Sequence, residues 1–147
     1  LQEPFFHQPP PRSTGRELFH LAWLSDHLAG DEAPRDVQAT LAELTAVSVA
    51  QGVTQLPLSQ PSATLLVGGG GAHNAYLMER LAAHLPKVTL LSPATLGWPE
   101  DWIEAGAFAW LAHQRLHGLP GNLPSVTGAS GPRVLGGIYA PSGEGRQ

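Results

Sequence analysis

The segment TLLVGGGGAHN (residues 64–74) constrains this chain more than any other. Leu65, Leu66 and Val67 form an apolar run of strand type that drops into four consecutive glycines, Gly68 to Gly71. A helical pattern with Ala75, Leu77, Met78 and Leu81 at its apolar positions follows at once. Glycine lets backbone approach a ligand closely and take positive φ without steric cost. A helix N-terminus adds exposed N–H groups and partial positive charge, which favour phosphate. The segment therefore reads as a nucleotide or phosphate site, or as a tight strand-to-helix turn without a ligand. It is not a P-loop, because Lys and Ser/Thr do not close the run. The G-x-G-x-x-G dinucleotide pattern fails as well: Gly68 and Gly70 lead to His73, and Gly69 and Gly71 lead to Asn74.

Around this turn the pattern predicts an α/β chain. Residues 1–12 read as an extended, proline-set lead-in. Ser13 or Thr14 is a candidate N-cap, with Glu17 at capping-box spacing from Thr14, for a helix ending at Gly30. A second helix follows Pro34, with Val37, Leu41, Leu44, Val47 and Ala50 on one face and Gly52 and Pro57 about its end. A strand over 64–67, a helix to His84 and a strand over 88–91 make a βαβ unit, which implies a parallel pair. After a loop over 93–99, a last helix is predicted over 100–117. A loop over 119–132, a short edge strand over 134–139 and a disordered tail over 141–147 complete the reading.

The 147 residues are enough for a domain with its own core. A net charge of −4 argues against a nucleic-acid binder that relies on a basic surface. With no cysteine there is no disulfide framework or Cys-based zinc site, which fits a cytoplasmic protein. No apolar run approaches the roughly 20 residues of a membrane span. The opening LQEPFFHQPPPRST reads as the interior of a longer chain.

Among residues able to carry chemistry, Glu104 shares a helix face with Phe108 and Leu111. A carboxylate on an apolar stripe is costly to bury without a partner. It reads as a buried acceptor for sugar hydroxyls, as half of an ion pair, or as an exposed acid near a helix N-terminus. His73 and Asn74 follow the glycines and suit either ligand contact or capping. Ser13 and Thr14 suit capping, or a phosphate or sugar contact. His113 and His117 stand at i, i+4 without a third ligand, which favours a solvated helix face over a metal site. Trp98, Trp102 and Trp110 read as core. No Ser-His-Asp arrangement and no paired acids of two-metal type are evident.

Four motifs then converge. RSTGRELF (12–19), VGGGGAHNAYLMERL (67–81), WIEAGAFAWLA (102–112) and LPGNLPSVTGAS (119–130) with VLGGIY (134–139) resemble the C-terminal half of anhydro-N-acetylmuramic acid kinases. The resemblance covers nearly the whole chain. It implies a partial actin-like ATPase (ribonuclease H-like) domain, with helices on a small, mostly parallel sheet spanning residues 13–140 and the family's N-terminal domain absent. It further implies an ATP- and Mg²⁺-dependent kinase that opens 1,6-anhydro-N-acetylmuramic acid and phosphorylates O6, in the cytoplasm and as a homodimer when complete. Carried over, Gly69, Gly70 and Gly71 would line the adenosine and inner phosphates, with Asn74 in the same cleft and Glu104 facing the sugar. The catalytic Asp is expected outside this chain, and no metal ligand within it. Gly68, where the family more usually has a small non-Gly residue, and Gly106, in place of a more helix-favouring one, depart from the pattern. The alternatives are a non-catalytic half domain that binds a nucleotide or partner, and another sugar kinase of the superfamily.

Overall fold

A computed structural model describes residues 2–56 and 63–139. Among them are five α-helices, several 3-10 turns and one two-stranded parallel sheet. The chain divides into two compact units. One contains residues up to Gln8 and Thr14–Ala105; the other contains Pro9–Ser13 and the residues from Gly106 on.

The first unit is built on the βαβ element. Strand β1 (Ala63–Leu66) pairs in parallel with β2 (Val88–Leu91), in a register that sets Ala63 against Val88 and Leu66 against Leu91. Helix α3 (Ala75–His84) makes the crossover. The long helix α2 (Pro34–Thr54) starts on Pro34, whose missing N–H costs nothing in the first turn. It packs against α3. Among the described residues of this unit the buried apolar side chains, besides Pro93, are Ala46 and Ala50, one turn apart on α2, and Leu81 and Leu85 at the same spacing in and just after α3. Small alanines let the helices approach closely, and a three-membered polar link (Glu43 with Arg80 and His84) ties their flanks.

Three local expectations change in this unit. Within the lead-in, Pro4–His7 is a 3-10 helix. It is pinned by a chain of ring contacts from Phe5 and Phe6 through Phe19 to Trp23, with centroids 5.1 to 5.9 Å apart. Trp23 Nε1–H also donates to Glu3 Oε2 at 3.1 Å. The helix expected from Ser13 or Thr14 shrinks to α1 (Leu21–Ser25), capped by His20, whose Nδ1 accepts from Trp23 N–H at 3.1 Å. The Gly15 carbonyl takes the Leu18 and Phe19 N–H groups in a turn, and Phe19 is spent on the aromatic chain. Helix α2 ends at Thr54, between Gly52 in its last turn and Pro57, which falls outside the described residues, as the sequence pattern predicts. The loop over 93–99 contains a 3-10 helix, Pro93–Leu96, capped by Ser92 and closed by Gly97 at φ +82°.

A further 3-10 turn, Glu100–Trp102, leads into α4 (Ile103–Leu116), and the boundary between the units falls within that helix. In the second unit the chain after α4 is organised by Asn122. Its Oδ1 accepts from Arg133 N–H (2.6 Å) and its Nδ2–H donates to Gly131 O (3.1 Å). The expected loop holds a short helix, α5 (Pro124–Thr127), ended by Gly128 at φ +74°. The expected edge strand over 134–139 does not form. Gly136 takes φ +82°, which interrupts an extended run, and β1 and β2 make up the whole described sheet. The tail over 141–147 lies outside the described residues.

Candidate functional site

The glycine turn begins where the sheet ends. Val67 N–H still pairs with Leu91 O (2.9 Å), and the chain then leaves the sheet. Gly68 is a packing glycine: a Cβ there would stand 3.2 Å from Pro93 Cγ and 3.4 Å from Ile103 Cγ1. Gly69 takes φ +70° and ψ −170°, a conformation essentially confined to glycine. Its N–H donates to Glu100 O at 3.2 Å, which fastens the turn to the approach of α4. Gly70–His73 coils as a 3-10 helix. The N–H groups of Gly70 and Gly71 have no acceptor among the described residues. Consecutive unpaired N–H groups in such a turn form an anion-receiving concavity.

Gly68, Gly69 and Gly70 line a hollow of about 350 Å³ whose other wall is Glu100, Asp101, Ile103 and Glu104. A Cβ on Gly69 or Gly70 would meet open space, so this part of the turn faces outward for lack of a neighbour. Glu104, in the first turn of α4, is exposed and not buried as its apolar stripe suggested. The stripe itself is open, with Phe108 67% exposed. Near a helix N-terminus a solvated carboxylate is favoured by the dipole.

The remaining predicted residues separate. Gly71 packs toward Leu77, where a Cβ would meet Leu77 Cδ2 at 3.6 Å. Asn74 Oδ1 accepts from Leu77 N–H at 3.1 Å and caps α3, so that oxygen is committed to the helix. His73 Nε2 lies 3.3 Å from Asp101 Oδ1 and 3.7 Å from Glu100 Oε2, at the acidic side of the turn. Thr14 lines a different hollow, with Phe5, Phe6, Phe19 and Trp23. His113 and His117 stack with centroids 4.1 Å apart, and His117 Nδ1 lies 2.8 Å from His113 O. Trp98, Trp102 and Trp110 are half or more exposed rather than core; Trp110 stands on α4, which buries none of its residues.

Two features escaped the sequence reading. The acids Glu100 and Asp101 share the hollow with Glu104, and the Glu100 carbonyl holds Gly69. The Pro-Glu-Asp start of the helix signalled the acids; nothing in the residue types signalled a backbone bond. Electrostatically the hollow sets the unbonded Gly70 N–H against three carboxylates. A polyphosphate seated there needs cationic compensation from elsewhere. Among the described residues, no three His, Asp or Glu side chains converge to hold a metal ion. No described helix is long and apolar enough to cross a membrane.

Comparison with known proteins bears on this geometry. A family model described as anhydro-N-acetylmuramic acid kinase matches residues 1–141. The chain is 61% identical over 142 residues to an anhydro-N-acetylmuramic acid kinase of Chromohalobacter salexigens, covering 95% of this chain and 38% of the relative. It is 56% identical over 141 residues to the same kinase of Xylella fastidiosa, covering 95% and 36%. For that of Photobacterium profundum the figures are 53% over 148 residues, covering 97% and 40%. The chain thus spans under half the length of these relatives.

Proposed function

The chain belongs to the anhydro-N-acetylmuramic acid kinase family, and from that premise we propose that it supplies one wall of the active site of an ATP-dependent kinase. The substrate on this reading is 1,6-anhydro-N-acetylmuramic acid, converted to N-acetylmuramic acid 6-phosphate in cytoplasmic peptidoglycan recycling. The observation that carries the reading is the convergence of Gly69, Gly70 and Glu104 on one hollow.

In this reading the Gly70 and Gly71 N–H groups receive inner phosphate oxygens of ATP, while the bare faces of Gly69 and Gly70 let the nucleotide approach the backbone. Glu104 accepts hydrogen bonds from sugar hydroxyls and orients the ring. Water attacks the anomeric carbon, the anhydro C–O bond breaks, and the released O6 takes the γ-phosphoryl group of ATP as its bond to the β,γ-bridging oxygen breaks and ADP leaves. The Asp that removes the proton from water belongs to polypeptide outside this chain. Such transfer rests on positioning and charge stabilisation. Mg²⁺ would supply charge neutralisation when bound with ATP. The parent fold is a partial actin-like domain over residues 13–140, and the complete enzyme is a homodimer. Asn74 acts in the nucleotide cleft indirectly, by fixing the start of α3.

The test is steady-state kinetics on the complete kinase containing this sequence. Glu104→Gln raises KM for the anhydro sugar and leaves the KM for ATP within twofold. Unchanged kinetics for both substrates would remove Glu104 from the sugar site.

A further inference from the structure

Arg115 of α4 is the anomaly of the second unit. Its Nε is occluded from solvent and has no hydrogen-bond partner. None of its side-chain nitrogens makes a hydrogen bond or ion pair among the described residues. Only Nε is occluded, so the two terminal nitrogens still reach solvent. Arg115 lines a hollow of about 490 Å³ whose other walls are apolar: Phe108, Leu111 and Leu116 on α4, with Leu135 and Ile138. A guanidinium half-sunk among apolar groups gives up hydration, and the structure returns nothing for it. The walls are uncovered as well, with Leu116 71% and Ile138 59% exposed.

Charge distribution selects the occupant. Residues 9–13 and 106–139 contain Arg12, Arg115 and Arg133 and no Asp or Glu, although the whole chain carries a net charge of −4. Among the described residues of this unit, a symmetric contact between two copies of the face would bring arginine toward arginine with no carboxylate to pair, the unit's one acid in sequence being Glu144, outside those residues. The relatives carry more than half of their length outside the matched region. We propose that this hollow is a docking site for an apolar segment bearing a carboxylate, supplied by the part of the family polypeptide that this chain does not contain. The carboxylate pairs end-on with the terminal nitrogens of Arg115, and the apolar flank covers Phe108, Leu116 and Ile138. The inference rests on family membership but not on the catalytic reading, and its test reads no turnover.

The probe is hexanoate, a carboxylate with an apolar tail, titrated into the ¹⁵N-labelled chain while the arginine Nε–H and leucine and isoleucine methyl signals are followed. Saturable shifts at Arg115 and Ile138, absent with hexylammonium and weakened about tenfold or more by Arg115→Met, are expected for a charge-assisted pair. Circular dichroism of Arg115→Met checks its fold, and Arg133→Met serves as the control that leaves the shifts in place. Failure of hexanoate to saturate, or equal shifts with hexylammonium, would overturn the site. The second measurement places this chain in the Chromohalobacter salexigens relative, in place of the matched 142 residues. There the terminal N–H groups of Arg115, open in the chain alone, are protected from solvent exchange and hexanoate no longer binds. Hexanoate binding as strong as in the chain alone would show the face open and overturn the assigned occupant. So would a concentration-dependent dimer of the chain alone that hexanoate dissociates, since a second copy would then fill the hollow.

Discussion

Glu43 holds Arg80 and His84 at the same time. Its Oε2 accepts from Arg80 Nε–H at 2.6 Å, and its Oε1 lies 3.1 Å from an Arg80 terminal nitrogen and 2.7 Å from His84 Nε2. Arg80 and His84 stand one turn apart on α3, so a single carboxylate of α2 fixes both the spacing and the rotation of the two helices. The link stands beside the Ala46, Ala50, Leu81 and Leu85 core and sets its register.

That link predicts acid sensitivity. Hydrogen bonds from Arg80 first, then His84, hold the Glu43 carboxyl down to about 2 from its ordinary 4.5. A depressed carboxylate stabilises the folded state fully above its unfolded value, and the contribution fades as pH falls from about 4.5 toward 2. Thermal melts should therefore show Glu43→Gln with a lower Tm than the parent at pH 7 and a difference that shrinks steadily below pH 4.5. A constant difference across that window would assign the loss to packing instead.

Gly69 and Gly70 should respond differently to alanine. Gly69→Ala forces a side chain into φ +70°, ψ −170°, at a cost of about 1–3 kcal/mol, although space for the Cβ exists. Gly70 has open space and no positive φ, so Gly70→Ala should leave stability nearly unchanged while its methyl group intrudes on the hollow. Denaturant melts and a nucleotide-binding titration of the complete kinase separate the two effects.

Asn74 is a cap first. Asn74→Ala leaves the Leu77 N–H without its acceptor and should cost about 1 kcal/mol, while Asn74→Asp keeps most of it. If Asn74 also touches the nucleotide directly, Asn74→Asp will lose ATP affinity in the complete enzyme despite its intact stability.

Asn122 should prove the critical residue of the second unit's loop. Asn122→Ala removes both the Arg133 and Gly131 hydrogen bonds, at about 1 kcal/mol each by the usual net value. Amide exchange over residues 119–135 should accelerate while α3 stays protected. Uniform acceleration across both regions would mean that the loop is not a separate unit of stability.

Legibility tracked locality. Helix α3 runs to His84 and β2 runs from Val88 to Leu91 as the sequence pattern predicts, because Asn74 supplies a cap and Pro86 a stop within a few residues. The helix expected from Thr14 did not form because Phe19 is claimed by Phe5, Phe6 and Trp23. Those ring contacts span the lead-in, and no capping-box spacing registers them. The 134–139 segment has strand-forming residues, but a strand needs a partner edge and a glycine that stays extended, and Gly136 does not. At the candidate site the glycines and Glu104 were visible as residue types. Their separation, with Gly71 and Asn74 turned to α3 while Gly69 and Gly70 face Glu104, depends on one backbone bond from Gly69 to Glu100.

The two-stranded parallel sheet carries a practical consequence. Among the described residues each of β1 and β2 has a single neighbour, so each leaves one flank of backbone donors and acceptors without a described strand beside it. Parallel sheets are ordinarily covered on both faces. Here Leu66 and Leu91, paired across the ladder, are 42% and 37% exposed. A concentrated stock of the isolated chain should therefore lose material to ribbon-like association seeded at these flanks. Its shelf life would be governed by dilution and by a lysine placed on the free side of β1 or β2, more than by any gain in melting temperature.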